Sequence, residues 1–485
     1  MKKIIIYTIL GSTLALGACS DFLDKNPTDQ LSSTLFWKTK SDFDNALTAV
    51  YASLQTEYYA AGAPNWDALT DNGYGQHNYY GSNGIVQGNI FASSGGYISS
   101  IYSSSYKGIA RVNIFLDQLA EYDGSDIDQG TKEQIAAEAK FIRAFYYFHL
   151  YQAYGSVPLV TEPLDFDTQF QAKVPKEQIF DQVVSDLEIA ISSLSDDPYY
   201  SNGGHAAKSS AQALLLRAYM FIAYDTKNSP NVGIMTKAKV LSDQLTTSGY
   251  TLVDDFTSIF RQSTQEGNEE IIFSIKFLAP NNYTAMDQWY GDWVVVSPLQ
   301  NMVDEFEEGD NRLDQTIYVD FVDWGDGKTH SPSNNRPTGY GVKKFLNPEL
   351  LPYGYATRSD QDWVMLRFAD VLLMDAEIEN ELSGPTQEVY TAINSIRNRS
   401  GLDDLATGLT QDQMRDQIRH ERRIEMAYEG LRYYDLKRWK IAGEVLNNVT
   451  DGIIPYIFEE KFYEWPLPQS EIDKSNGVLI QNDDY

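Results

Sequence analysis

Cysteine is nearly missing: the 485-residue sequence holds one, Cys19. A single thiol excludes an intramolecular disulfide framework and any zinc or iron–sulfur centre built on several cysteines. Basic charge is scarce too. Thirty-eight Lys and Arg face 68 Asp and Glu, for a net charge of −30. Nucleic-acid phosphates and anionic leaflets both call for clustered Lys and Arg, so neither is expected as a partner. The five histidines (His77, His149, His205, His330, His420) lack ligand spacing to one another, and no Glu-x-x-His occurs. That removes the usual helical di-metal site. No Walker-type glycine loop is present. Asp323-Trp324-Gly325-Asp326-Gly327 lacks the 1-3-5 acidic spacing of a calcium loop. No metal and no cofactor is expected. Beyond the N-terminus no apolar run reaches about 18 residues, so no later segment reads as a membrane span.

What is present begins with a leader. Met1-Lys2-Lys3 is a basic n-region, and Ile4 to Leu16 is an apolar run too short to cross a bilayer. Leu16-Gly17-Ala18-Cys19 closes it, which resembles a bacterial lipobox. Residues 1–18 are expected to be a signal peptide, with Cys19 the lipidation site and two or three acyl chains a stable anchor. Ser20-Asp21 follows, an acidic start similar to the surface-export signal of Bacteroidetes lipoproteins. Residues 19–485 are expected to form one domain, because no clean linker divides them.

The rest reads as mostly helical. Helical periods occupy 41–54, 102–119, 132–154, 175–194, 205–224, 235–246, 363–382, 387–399 and 412–440. Residues 270–277 alternate loosely and suggest a strand. Two stretches break the helical pattern: 60–100, rich in Gly, Asn, Ser and Tyr, and 279–358, with Trp289, Trp293 and Trp324. Irregular stretches this long are usually functional or disordered. Phe141–Tyr146 resembles Leu215–Met220, with a fainter third copy at Leu366–Ala369. This suggests a superhelical scaffold of TPR-like helical hairpins, all-α in class, with two large loop-rich insertions carrying little β structure.

The most distinctive run is 418–439. As one helix it places Glu421, Glu425 and Glu429 on the face that carries Met414, Ile418 and Tyr428. Buried carboxylates need partners, and Arg143, Arg217, Arg367 and Arg397 lie in other apolar helices. Arginine neighbours lower a carboxylate pKa, which favours a structural ion network over acid–base catalysis.

Glu421-Arg422-Arg423, Glu429-Gly430-Leu431-Arg432, Asp435 to Trp439 and Trp465-Pro466-Leu467-Pro468 together resemble the C-terminal motifs of SusD-like (RagB/SusD) lipoproteins. Arg143-Ala144-Phe145 with Tyr154-Gly155-Ser156-Val157-Pro158, and Arg367 to Glu377, are similar to the family's motifs further up the chain. The resemblance implies a TPR-like helical fold at the outer-membrane surface. It implies a non-catalytic protein that captures glycan and passes it to a SusC-like TonB-dependent transporter. It does not exclude a glycopeptide or peptide ligand.

Sugars want aromatic platforms beside Asn, Asp, Gln and Arg, and such residues concentrate in the two loop-rich stretches. The first supplies Trp66, Asp67, Asp71, Asn72, Tyr74, His77, Asn78, Tyr79 and Tyr80, and the second Tyr283, Trp289, Tyr290, Trp293, Trp324, Asn335, Arg336 and Tyr340. The ligand residues selected from these are Trp66, Asp67, Tyr74, His77, Asn78, Trp289, Trp293, Trp324, Arg336 and Tyr340. With the chain so acidic, a neutral glycan is expected rather than an acidic one. The rival reading is an α-helical glycoside hydrolase or lyase in which Asp67 or Asp71 faces Asp292 or Asp323.

Overall fold

The structure, a computed structural model, describes residues 36–56, 63–325, 327 and 329–485. The leader and Cys19 lie outside the described residues.

The first helix, α1 (Lys40–Ala52), starts at Thr39, whose hydroxyl accepts from the Asp42 amide while Asp42 accepts from the Thr39 amide. This reciprocal cap fixes the start two residues before the expected Ser41. Next come α2 (Tyr97–Glu121) and α3 (Gln129–Tyr154), which pack together. At Gly108 an added Cβ would sit 2.1 Å from the Tyr146 ring, so glycine is what lets these helices approach. Asp128 caps α3, and Gly155, at φ 68°, ends it. Then α4 (Lys176–Ser193), α5 (Lys208–Phe221) and α6 (Val232–Thr246) each pack on the preceding helix, as hairpin repeats require. The chain returns to this stack at α7 (Phe368–Ser383), which packs on α6 and carries α8 (Gln387–Arg399) and α9 (Gln411–Glu425). The fold is mostly helical with little sheet, as expected.

Four strands matter: β1 (Gly73–Gly75), β2 (Ile271–Ile275), β3 (Val296–Pro298) and β4 (Trp363–Arg367). β2 and β4 form an antiparallel ribbon, and so do β1 and β3. Residues 363–367, expected as the start of a helix, are therefore strand. Trp-Val-Met-Leu-Arg is β-prone, and the apolar β2 offers it a partner. The extended Arg367, at φ −143° and ψ 161°, then begins α7.

The second correction falls at 412–440. The helix stops after Glu425, and α10 (Arg432–Arg438) begins only after a turn. Tyr428 and Gly430 in that turn have φ of 65° and 79°. Asp67 holds it: its two oxygens accept from the amides of Tyr428 and Gly430, each at 3.2 Å. Glu429 and Tyr428 thus leave the α9 face that a continuous helix would give them. Glu425 and Glu429 still converge, because Arg367 donates to Glu425 at 2.6 Å and to both oxygens of Glu429 at 2.8 Å. Arg312 binds Glu421, Glu425 and Asp310, and Arg399 binds Glu270. Arg143 and Arg217 pair instead with Asp186 and Asp370, while Arg397 takes Glu307 and also reaches Glu421 at 3.5 Å, as expected of it. Burial alone would raise the Glu425 pKa, but Arg399, Arg367 and Arg312 outweigh it and hold the carboxyl well below its ordinary range. An acid so firmly ionised cannot serve as a proton donor near neutral pH.

Candidate functional site

β1 belongs to the first loop-rich stretch and β3 to the second. Their pairing, Gly73 with Pro298, Tyr74 with Ser297 and Gly75 with Val296, brings the two stretches together. A Cβ on Gly73 would meet Val296 at 2.6 Å, so the close crossing needs glycine there. Beyond β1 the chain turns sharply. His77, Asn78 and Tyr80 all take positive φ, between 51° and 63°. Three non-glycine residues in that region within four positions are strained, and strain of this kind gathers at binding sites. The turn is tied at both ends: the Gln76 amide donates to the Val295 carbonyl at 3.1 Å, and the Asn83 amide to the Asn78 side chain at 2.9 Å.

Beyond the ribbon, the short helix Met286–Gly291 carries Trp289, and the turn after it carries Trp293. The Tyr79 ring lies nearly parallel to both, 6.1 Å from each centroid with interplanar angles of 11° and 3°. His77 meets the Tyr79 ring edge-on at 5.9 Å, and Tyr80 lies 6.3 Å from Trp289. Trp289 is buried, Tyr79 and Trp293 are half-buried, and His77 and Asn78 are exposed. The foundation is therefore Trp289, and the surface it supports is Tyr79, Trp293 and His77. Asp292 and the Trp293 carbonyl hold the neighbouring Ser333–Asn334 segment through the Ser333 amide at 3.1 Å and the Asn334 side chain at 3.3 Å. The result is an aromatic platform edged by amide and imidazole groups, on backbone anchored from both sides. It can stack on the flat C–H face of a sugar and offer hydrogen bonds to its hydroxyl rim.

Of the ten residues selected from the sequence, His77, Asn78, Trp289 and Trp293 come together here. Trp66 does not: it is 3 % exposed and packs among Tyr97, Tyr434 and Trp465 in the core. Asp67, 1 % exposed, is spent on the 428–430 turn. Burial raises its pKa to about 6 against the pull of the Asn72 side chain and those two amides. Both belong to the scaffold, because the 63–72 segment dives under the C-terminal ladder. Tyr74 is half-buried on β1. Tyr340 donates to Gln300 at 2.8 Å, and Arg336 reaches exposed Asp320 at 3.4 Å. Trp324 stands in a separate cleft with Arg261 and Lys343. Tyr79, the centre of the platform, was among the nine candidates of the first stretch but not among the ten selected, since no local pattern sets it apart from its tyrosine neighbours.

The carboxylates of the hydrolase reading are engaged by other groups, Asp323 by the Gly325 amide at 2.8 Å. Asp71 takes Arg432 at 2.8 and 2.9 Å. Burial would raise its pKa, but Arg432 and Arg423 outweigh that and hold it at about 2. Asp67 and Asp71 thus face the C-terminal ladder, and Asp292 faces the Ser333 amide. Among the described residues no cluster of three His, Cys, Asp or Glu side chains could hold a metal ion, and no helix is long and apolar enough to cross a membrane.

Comparison with known proteins agrees with this architecture. Residues 256–485 match the model of the SusD family, and residues 21–220 match a model described as "Starch-binding associating with outer membrane". A curated relative, SusD-like protein P2 of Formosa agariphila, is 25 % identical, with all of both chains covered. A SusD-like protein of Bacteroides fragilis superposes with a TM-score of 0.78 at 23 % identity, over 95 % of this chain and 100 % of that one. A structure titled "Laminarin binding SusD-like protein" gives 0.77 at 24 % identity, over 92 % and 100 %.

Proposed function

Because this chain is a SusD-like family protein, we propose that it captures oligosaccharide or polysaccharide at an outer-membrane surface and hands it to a SusC-like TonB-dependent transporter. Lipid on Cys19 tethers it there. The observation that carries the reading is the Tyr79–Trp289–Trp293 platform, built where two otherwise irregular stretches are stitched by β1 and β3. The description of the second family model and the laminarin-binding neighbour support carbohydrate as the ligand class. The role is capture rather than cleavage, since the best-buried acids of the first stretch, Asp67 and Asp71, serve the scaffold.

Stacking on one aromatic platform is worth about 0.5–1.5 kcal/mol beyond burial, by analogy with aromatic pairs. Trp293→Ala is therefore expected to weaken binding by up to about tenfold. The test incubates the soluble form starting after Cys19 with a polysaccharide panel and scores retention and new reducing ends in the same tubes. Retention without cleavage, weakened in Trp293→Ala and Tyr79→Ala, is the expected result. Undiminished binding by both folded variants would move the site elsewhere, and new reducing ends would replace capture with catalysis. For the transporter, mild-detergent purification from native membrane is expected to recover a much larger barrel protein; repeated recovery of the lipoprotein alone counts against the hand-off.

A further inference from the structure

Two adjoining clefts of about 680 and 630 Å³ share Asp314, Gln315, Asp323 and Lys343. In the smaller stands Trp324, with the Arg261 guanidinium carbon 4.4 Å and the Lys343 Nζ 4.9 Å from its ring centre. Arg261 is 8 % exposed and Lys343 5 %. Buried charge is tolerated only when paired, and every other buried arginine among the described residues has a carboxylate within ion-pair distance. Arg261 alone has none, and its buried Nη1 has no hydrogen-bond partner. Burial pulls its pKa below the ordinary arginine value, offset only partly by Tyr353 and by Asp287, Glu349 and Asp255. Lys343 is hardly better served. Its one acidic contact is Asp314 at 3.4 Å, whose side chain is 91 % exposed.

Two nearly buried cations therefore stand against one indole and line one cleft, with a buried Arg261 donor unused. A carboxylate or sulfate between them would supply the missing acceptors, and guanidinium forms strong, directional bonds to such planar or tetrahedral oxyanions. We propose that this cleft is an anion subsite that takes the carboxylate or sulfate substituent of an acidic saccharide between Arg261 and Lys343. The saccharide part of this assignment rests on the capture reading above. The cleft also has an acidic side, Asp314 and Asp323. These accept hydrogen bonds from hydroxyls and repel a second anion. The arrangement thus selects a glycan whose charges are spaced by neutral rings over a dense polyanion. The overall charge of −30 does not prevent this, because at physiological salt a surface charge is screened beyond about 8 Å. This subsite departs from the expectation of a neutral ligand, because net charge does not report a local feature such as this cleft.

The test has two arms, run on wild type, Arg261→Gln, Lys343→Gln and Trp293→Ala, each first checked for native helical content. In the first, inorganic sulfate and acetate are titrated at constant ionic strength against chloride, reading intrinsic tryptophan fluorescence. In the second, matched neutral, uronate-containing and sulfated oligosaccharides are compared for affinity. A saturable sulfate or acetate response that Arg261→Gln and Lys343→Gln abolish is expected. So is an affinity for one acidic oligosaccharide at least tenfold above its neutral match, lost in Arg261→Gln but not in Trp293→Ala. An anion response unchanged in both cleft variants overturns the subsite. So does an acidic preference that Arg261→Gln leaves intact, even if neutral glycan is captured through Trp293. An Arg261-dependent anion response with no oligosaccharide bound in any form keeps the anion site and overturns its saccharide ligand together with the capture reading.

Discussion

Arg367→Met is the sharpest test of how this scaffold is held. Arg367 is 1 % exposed and donates five bonds of 2.6–2.9 Å, to Glu270, to the Glu425 carboxylate and carbonyl, and to both oxygens of Glu429. Methionine keeps much of the bulk and removes the charge. Glu270 would retain Arg399, Glu425 would retain Arg399 and Arg312, and Glu429 would keep Lys344. Removing one partner of a buried ionic cluster costs about 3–5 kcal/mol, because the remaining charges stay desolvated. Unfolding entropy of about 2.1 cal/mol/K per residue over roughly 450 residues is about 1 kcal/mol/K, so Tm should fall by about 3–5 °C. The penalty should depend on pH. Glu425 has its pKa depressed in the fold, so it contributes stability above its unfolded pKa of about 4.3 and loses it as pH falls through the folded value. The gap between wild type and variant is therefore largest at pH 7 and narrows below about pH 4. Calorimetry across pH 3–8 measures both effects. A Tm change under about 1 °C at pH 7, or a gap that ignores pH, would refute the argument that these ions are mutually required.

Two further outcomes separate scaffold from site. Trp66→Ala should cost about 3–5 kcal/mol of stability, as truncation of a buried aromatic does, yet leave saccharide affinity within twofold where the protein remains folded. A large affinity loss without a stability loss would return Trp66 to the ligand. Lys437, 2 % exposed, donates to the Gln152 carbonyl at 2.7 Å, and burial lowers its pKa to about 7. Between pH 7 and about 10.4 the unfolded chain binds more protons at this lysine than the native state, so wild-type stability rises with pH across that window. Lys437→Met should remove this part of the rise, and denaturant midpoints at pH 7, 8.5 and 10 that keep a constant gap from wild type would contradict it.

The helical stack was legible because it depends on local signals. Apolar periodicity marked α3 and α5, Asp128 and Gly155 delimit α3, and repeated Arg-Ala-aromatic segments announced hairpins. The buried ionic cluster was legible too, since glutamates on an apolar face require arginines wherever the chain can supply them. Its pairing was not. Arg367 reaches Glu429 only because 363–367 is strand and the chain breaks at Tyr428, and both depend on partners far along the sequence, β2 and Asp67.

The aromatic site shows the same division. Composition alone showed two irregular stretches in which rings stand beside the amides and acids a sugar could use. It could not distinguish Trp66, which the core absorbs, from Trp293, which it leaves at the surface, because both are tryptophans beside an aspartate. Net charge pointed to a neutral ligand, whereas the unpaired Arg261 came from outside either stretch and reads in sequence as an ordinary surface cation. By itself the sequence determined the class of fold, its helical repeats, its need for buried arginines and the two regions where binding chemistry is stored. Tertiary structure decided which stored residues are used, because burial and partnership are properties of what the chain packs against, and those contacts join residues as far apart in sequence as Asp67 and Gly430, 363 positions.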